Sequence, residues 1–429
     1  MGRLRKWLRA KSEGSPILKN ILILVTGTTL SQAIAVIISI FTARLFTPEV
    51  FGQMAIYGAI TAVIAAIAAL RYDMTVVLPK SDDEARVIGK LATRSVIVVS
   101  LTTTLLAFLL KDVVISIWDD EELANWMPFA GLTVFFLAQV TLLQYWYNRK
   151  REYTIIARNR VQQTIGSAGG QLAFGLAGLR SMPGLLFGVM AGQAFAFFWL
   201  NSKAQEFREN PGPDAPTIRQ VAAKHKKMPL LNLPNALVDA VRTNGIVMII
   251  GTFALSLVGQ FNLAWRVLQV PIGLINGAVQ QVFYRELADI TPGSMQRLIR
   301  ITIRRAILLS AIPFGTIYII APWLFPFVFG EQWDLAGDIA RALTPWLALQ
   351  LVTSPISTVF VVTSKQHWML AFAIVFAAAP LSWLLLSPLP FMDTLTILGL
   401  IMAGLLIINL ILADRAAAAF DSQDPEEVA

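Results

Sequence analysis

Runs of about twenty mostly apolar residues recur along this chain, and no other feature narrows its folding so far. An α-helix rises ~1.5 Å per residue, so ~20 apolar residues cross the ~30 Å hydrocarbon core of a bilayer. Such runs lie near 20–42, 50–70, 90–110, 126–147, 155–179 and 184–201, then near 230–254, 257–283, 303–328, 339–363, 368–388 and 394–413. The fifth and seventh open on charged or polar residues. Charged residues make up only 14% of the 429-residue chain and gather in short clusters between the runs, whereas a soluble domain carries roughly 25%. The alternating ~10-residue segments of a membrane β-barrel are absent. The pattern predicts an all-α polytopic membrane protein with about twelve transmembrane helices.

Several chemistries drop out. The chain has no cysteine, which removes disulfides and thiolate metal sites. Its two histidines, His225 and His367, both fall in connections, so no metal centre is expected. The formal charge of +8 could suggest nucleic acid, but in a membrane protein it arises from arginine and lysine held on one side. Of the 35 basic residues, 29 fall in the N-terminal segment and in alternate connections. The opposite side receives Arg44, Lys111, Arg180 and Arg341 and carries the acidic 119–122 stretch "DDEE". The positive-inside rule therefore places both termini in the cytoplasm. The basic start, "MGRLRKWLRAKSEG", lacks the apolar core and cleavage site of a removable signal and reads as a segment lying on anionic lipid.

The polar stretch 201–227, rich in Pro, Gly and charge, divides the runs six and six. The expected organisation is a basic cytoplasmic segment (1–19), an N-lobe (20–201), a cytoplasmic linker (202–228), a C-lobe (229–414) and an acidic cytoplasmic tail (415–429). The halves echo each other. "FTPEVFGQ" (46–53) matches "FALSLVGQ" (253–260), and "NRKREY" (148–153) matches "TSKQHW" (363–368), at similar offsets. Six spans per half preserve orientation, so a duplication would give parallel repeats, with substrate bound between them near the midplane.

Two basic residues lie well inside runs: Arg242 about twelve residues into the seventh and Arg266 about nine into the eighth. A charge at such depth costs at least ~2.5–3.5 kcal/mol on insertion scales. Asp239 stands one turn before Arg242, so that pair could simply rivet the bundle; Arg266 has no acid in its own run. The competing reading is an anion site, since a guanidinium stays charged when desolvated and its planar fork matches phosphate. Arg71, beside Asp73 at the end of the second run, is either a snorkelling boundary or part of that site. Arg158 and Arg160 either close the fifth run or form a basic funnel. Buried glutamines and the run Gly166–Ser167–Ala168–Gly169–Gly170 could bridge helices or line a wet cavity for sugar hydroxyls. Prolines at 234, 271, 313, 345, 355 and 380 fit helices that bend.

The stretch "GTTLSQAIAVIISIFTARLFTPEVFGQMAIYGAI" resembles the first two spans of polysaccharide transporters of the multidrug/oligosaccharidyl-lipid/polysaccharide superfamily. "LRYDMTVVLPKSDDEA" and "YWYNRKREYTIIARNRVQQ" resemble segments of its O-antigen flippases, and the likeness covers most of 20–370. The resemblance implies two six-helix lobes around a central cationic cavity in the bacterial inner membrane. It implies a flippase moving an undecaprenyl-pyrophosphate-linked oligosaccharide between leaflets, with Arg242 and Arg266 in the cavity. No cofactor is implied beyond coupling to an H+ or Na+ gradient. Implied partners are the lipid-linked oligosaccharide, membrane lipids, and a polysaccharide polymerase with its assembly machinery; nucleic acid is not among them. Peptidoglycan-precursor flippases carry an arginine–acid pair in the first span, where this chain reads "NILILVTGTTLSQ", so that subgroup is disfavoured. The main rival is a drug or cation antiporter of the same fold, which would favour acids in its cavity. An enzyme acting on lipid-linked sugars would need a large external loop with catalytic groups, and the longest here, about 111–125, is acidic without histidine or a paired basic cluster.

Overall fold

The computed structural model describes residues 16–269, 272, 293–354, 356, 359–363 and 365–422. The basic residues before Lys19, as well as Pro271, Gln280, Gln281, Arg285 and Pro355, lie outside them. Twelve long helices account for most of the described chain. They are α1 (Pro16–Leu45), α2 (Pro48–Ala68), α3 (Asp82–Leu109), α4 (Ala130–Arg149), α5 (Tyr153–Leu176), α6 (Met182–Lys203) and α7 (Leu233–Gly251). Then follow α8 (255–269), α9 (Met295–Phe329), α10 (Asp334–Thr353), α11 (Gln366–Leu386) and α12 (Phe391–Asp421). Each begins or ends within a turn or two of an apolar run, except that α3, α9 and α12 extend further into their polar flanks. Residues 415–421, expected in the acidic tail, continue α12.

Among the described residues, eight helices are long and apolar enough to cross a membrane: α1–α4, α6, α9, α11 and α12. The chain is a multi-pass membrane protein. α5 and α7 fall short because they carry the polar side chains that drew attention to them, and α8 is described only to residue 269.

The helix starts follow local chemistry. Thr47 caps α2 by accepting from the Val50 N–H, with Pro48 in the first turn, where its missing N–H costs nothing. Ser81 caps α3, and Asp82, Asp83 and Glu84 fill its first turn, where the helix dipole favours acids. Pro234 falls where a π-helical turn, Met228–Asn232, runs directly into α7, so the helical backbone changes character just before it. Pro313, Pro345 and Pro380 sit inside continuous helices, as do Pro322 and Pro326.

The chain forms two compact units, Met1–Leu255 and Ser256–Ala429. α7 belongs with the first. Its Gly245, Ile246, Ile250 and Gly251 are buried, and a Cβ on Gly52 of α2 would lie 1.8 Å from the carbonyl of Leu255, the residue that closes this unit just beyond α7. Only glycine permits that approach.

At its basic end the first unit is tied by ion pairs. Asp82 binds both Arg149 (2.8 Å) and Lys150 (2.7 Å), and Lys150 also reaches Glu206 at 2.7 Å. These bonds hold the Lys150 ammonium above its ordinary range, Asp82 contributing most. The linker continues the network. Arg86 binds Glu209, Glu84 binds Lys224, and Val221 of the linker helix Ile218–Lys224 is buried in the core cluster that includes Ile88 of α3 and Trp146 of α4. The linker that the sequence places between the lobes is strapped to α3 and α4.

The Gly-Gln echo has a structural counterpart in each unit. Gln53, buried on α2, donates to Asp120 (2.9 Å) and Glu122 (3.3 Å), just before α4. Gln260, buried on α8, donates to the Gln332 carbonyl (2.6 Å) and accepts from the Ala336 N–H (2.9 Å), at the start of α10. In both halves the glutamine fastens the second helix to the connection that leads into the fourth.

Candidate functional site

The seventh helix presents the first pair. Asp239 and Arg242 lie one turn apart on α7, and the Arg242 Nη2 and Nε donate to Asp239 Oδ1 at 2.6 and 3.2 Å. The side chains remain 41% and 68% exposed, arginine and aspartate respectively. The pair is contained within one helix, and among the described residues no other bonds to either charged group. Thr243 and Asn244 turn their side chains back to the carbonyls of Asp239 and Ala240 at 2.8 Å each. The opposite, glycine-bearing face packs on α2, so α7 is amphipathic, with charge on its open side.

Arg266, on α8 in the second unit, is exposed and has no hydrogen-bond or ion-pair partner among the described residues. Its neighbour Trp265 turns inward, stacking on Phe261 (centroids 5.7 Å apart) and meeting Trp346 of α10 at 5.0 Å. The helix is pinned by aromatics, leaving the guanidinium outside the packed face.

α5 divides its basic residues. Arg160 donates to Thr28 of α1 at 2.9 Å, beside the close contact of Gly27 with Ala157. Arg158 is exposed, without a partner among the described residues. Asn159 between them is buried and donates to the Ala196 carbonyl of α6 at 3.0 Å. Arg160 thus helps join α1 to α5, and Arg158 alone has the openness a funnel requires.

The small-residue run is largely a packing seam. Gly166 and Gly170 meet Gly192 and Gly188 of α6 backbone to backbone, Ser167 donates to the Val189 carbonyl, and Gln171 to that of Leu185. Small residues allow this approach between membrane helices. The run faces α6 rather than a cavity, although Gly169 meets nothing. Gln139, Gln162 and Gln193 each keep one buried amide atom without a protein partner.

Arg71 stands apart. It lies three residues beyond α2, in a left-handed conformation (φ 63°, ψ 11°) that leads into the one-turn helix Tyr72–Thr75, and donates to the Met74 sulfur. Asp73 is buried with its Oδ1 unpartnered. Burial holds its carboxyl above the ordinary range, and the nearby Arg71 charge only partly offsets this. The cluster sits at the basic end of the unit, where a boundary is expected.

A family model described as polysaccharide biosynthesis protein matches residues 41–337. The chain belongs to that family. A comparison with curated proteins finds no significant match. Among solved structures, this polysaccharide biosynthesis protein is similar to the lipid II flippase MurJ in its inward closed conformation. The identity is 11%, over 93% of this chain and 90% of that one, with a TM-score of 0.69. An inward-facing multidrug resistance transporter of the MATE family and MOP superfamily gives 14% identity over 92% and 96%, with a TM-score of 0.66. A Vibrio cholerae MATE transporter gives 11% over 94% and 97%, with a TM-score of 0.54. At such identities the likeness establishes the fold. It is the all-α fold of those flippase and transporter structures. Among the described residues no cluster of His, Asp or Glu could hold a metal ion.

Proposed function

We propose that this polysaccharide biosynthesis protein flips an undecaprenyl-pyrophosphate-linked oligosaccharide across the bacterial inner membrane by alternating access, with both termini cytoplasmic. Family membership and the transporter fold support the class. The observation that carries the substrate chemistry is the open Arg242–Asp239 pair. Asp239 uses a single oxygen to orient the guanidinium from one side, leaving the Nη1 amino group available. A fork held in this way can donate two charge-assisted hydrogen bonds to a diphosphate without first being ordered.

The same observation weakens the rival antiporter. A cation extruder would favour acids in its cavity, and the one acid on α7, Asp239, stands beside an arginine. Arg266 enters the proposal from its depth on the next helix and is tested as a separate variant. Coupling to an H+ or Na+ gradient, and hand-over to a polymerase, belong to the proposal as well.

The test is transport of the lipid-linked oligosaccharide in cells, with protein levels checked, for Arg242→Ala, Arg266→Ala and the double variant. Each contact to a charged group is worth ~1.5–3 kcal/mol, so a single loss should reduce transport roughly tenfold or more. Arg242→Lys should fall between wild type and Arg242→Ala, since it keeps the charge but loses the fork. Near-normal transport by a well-expressed double variant would refute the arginine reading.

A further inference from the structure

A groove of about 470 Å³ runs between α9 and α12 in the second unit. Its α9 wall is built by Arg300, Ile303, Arg304, Ile307 and Leu308, spaced three and four apart on one helical face. The facing wall of α12 presents Ile407, Ile411 and Asp414. The walls are polarised in the same direction. Both charged ends lie where α9 begins and α12 finishes, and both become wholly apolar toward the helix middles. From Arg300 to Leu308 the groove runs ~12 Å along the helix.

The charged end is built rather than incidental. Asp421 caps α9 from α12, accepting from the backbone N–H groups of Met295 (2.9 Å) and Gln296 (2.8 Å). Arg300 makes a two-pronged bond to Asp414 at 2.8 and 3.0 Å, to which Gln296 adds a third contact at 3.1 Å. These bonds fix the spacing of the two helices at the groove mouth. They consume Asp414 but leave Arg304, one turn further along α9, exposed and without a partner among the described residues. The mouth therefore holds two guanidiniums against one carboxylate, immediately below an apolar channel whose Leu308 is 61% exposed.

We propose that this groove binds an anionic phospholipid of the leaflet facing the basic end. The phosphate would sit at Arg304 with Arg300 behind it, and an acyl chain would lie along Ile307, Leu308, Ile407 and Ile411. α9 is long enough for this. Its 35 residues span ~52 Å, well beyond the hydrocarbon core, so its first turns reach headgroup level. A second groove, between α11 and α12, provides the contrast. It is lined by residues such as Trp368, Phe372, Val375 and Leu412, with no charged side chain, and the ammonium beside it, that of Lys365, is held over the Trp368 ring at 5.6 Å.

The experiment uses the full chain in nanodiscs of mixed phosphatidylglycerol and phosphatidylcholine. A photoactivatable diazirine is placed in the acyl chain of one lipid or the other, and labelled peptides are mapped by mass spectrometry. Phosphatidylglycerol should label the 303–308 and 407–411 segments several times more strongly than phosphatidylcholine. Arg304→Gln should reduce that labelling about fivefold, the loss expected for one interfacial basic residue, while Arg304→Lys retains it. Labelling of the α11–α12 groove by each lipid should be the same in every variant as in the wild type, which also reports that the variants are folded. Equal labelling of the α9–α12 groove by both lipids, or no effect of Arg304→Gln, would overturn the proposal. So would displacement of phosphatidylglycerol by a polyprenyl pyrophosphate at low molar ratio, which would assign the groove to a substrate tail.

Discussion

Asp239→Asn is the sharpest probe of the α7 pair, because the receptor and rivet readings give it opposite outcomes. The bonds between Arg242 and Asp239 lie within one helix, and the side chains are 41% and 68% exposed. An intrahelical pair this open is worth ~0.3–0.5 kcal/mol, so breaking it should barely move the melting temperature. In a rivet, Arg242→Ala and Asp239→Asn remove the same bond and should reduce transport alike, by less than about twofold. In a receptor, the arginine loses a phosphate contact of ~1.5–3 kcal/mol, a factor of about ten or more. The asparagine keeps an oxygen that can orient the fork while removing a negative charge beside the bound anion. Asp239→Asn should therefore transport at or above the wild-type rate. The assay is the initial flipping rate in proteoliposomes at limiting lipid-linked oligosaccharide, with Asp239→Asn/Arg242→Ala completing the cycle. Equal losses in the two single variants would refute the reasoning.

Gln260→Leu removes a buried donor–acceptor pair and strands the Gln332 carbonyl and Ala336 N–H it served. At ~1–3 kcal/mol for each unmet group, thermal unfolding in detergent should shift down by several degrees. Gln53→Leu should do the same, and an unshifted Gln260→Leu would remove the anchoring role. Asp73→Asn tests the buried carboxylate in the one-turn helix that follows α2. Burial raises its affinity for a proton, so its contribution to stability is complete below the ordinary carboxylate value of 3.8. That contribution is lost as pH rises through the raised value. Thermal unfolding should find the asparagine variant more stable than wild type at about pH 8, the gap closing toward about pH 4; a pH-independent gap would contradict this.

Much of this molecule could be read along the chain because the bilayer makes a one-dimensional demand. A helix crossing hydrocarbon must be apolar for ~20 residues, so the twelve runs fall on the twelve long helices, and the arginine-rich connections separate one end from the other. Pairings one turn apart were equally readable, since the helical repeat alone brings Asp239 beneath Arg242. Contacts between distant segments were not. The sequence shows that Gln53 and Gln260 repeat, but only the folded chain shows each fastening its helix to a connection some seventy residues away. The run at 166–170 is compatible with a wet cavity or a close seam. The glycines of α6 opposite it make it a seam, because two backbones can approach that closely only where both lack side chains. Arg300 and Arg304 look alike in the sequence, as consecutive members of an arginine cluster. They differ in the structure because α12 carries an acid opposite the first and isoleucines beside the second, and which residues face each other across two helices is set by packing, not by local order.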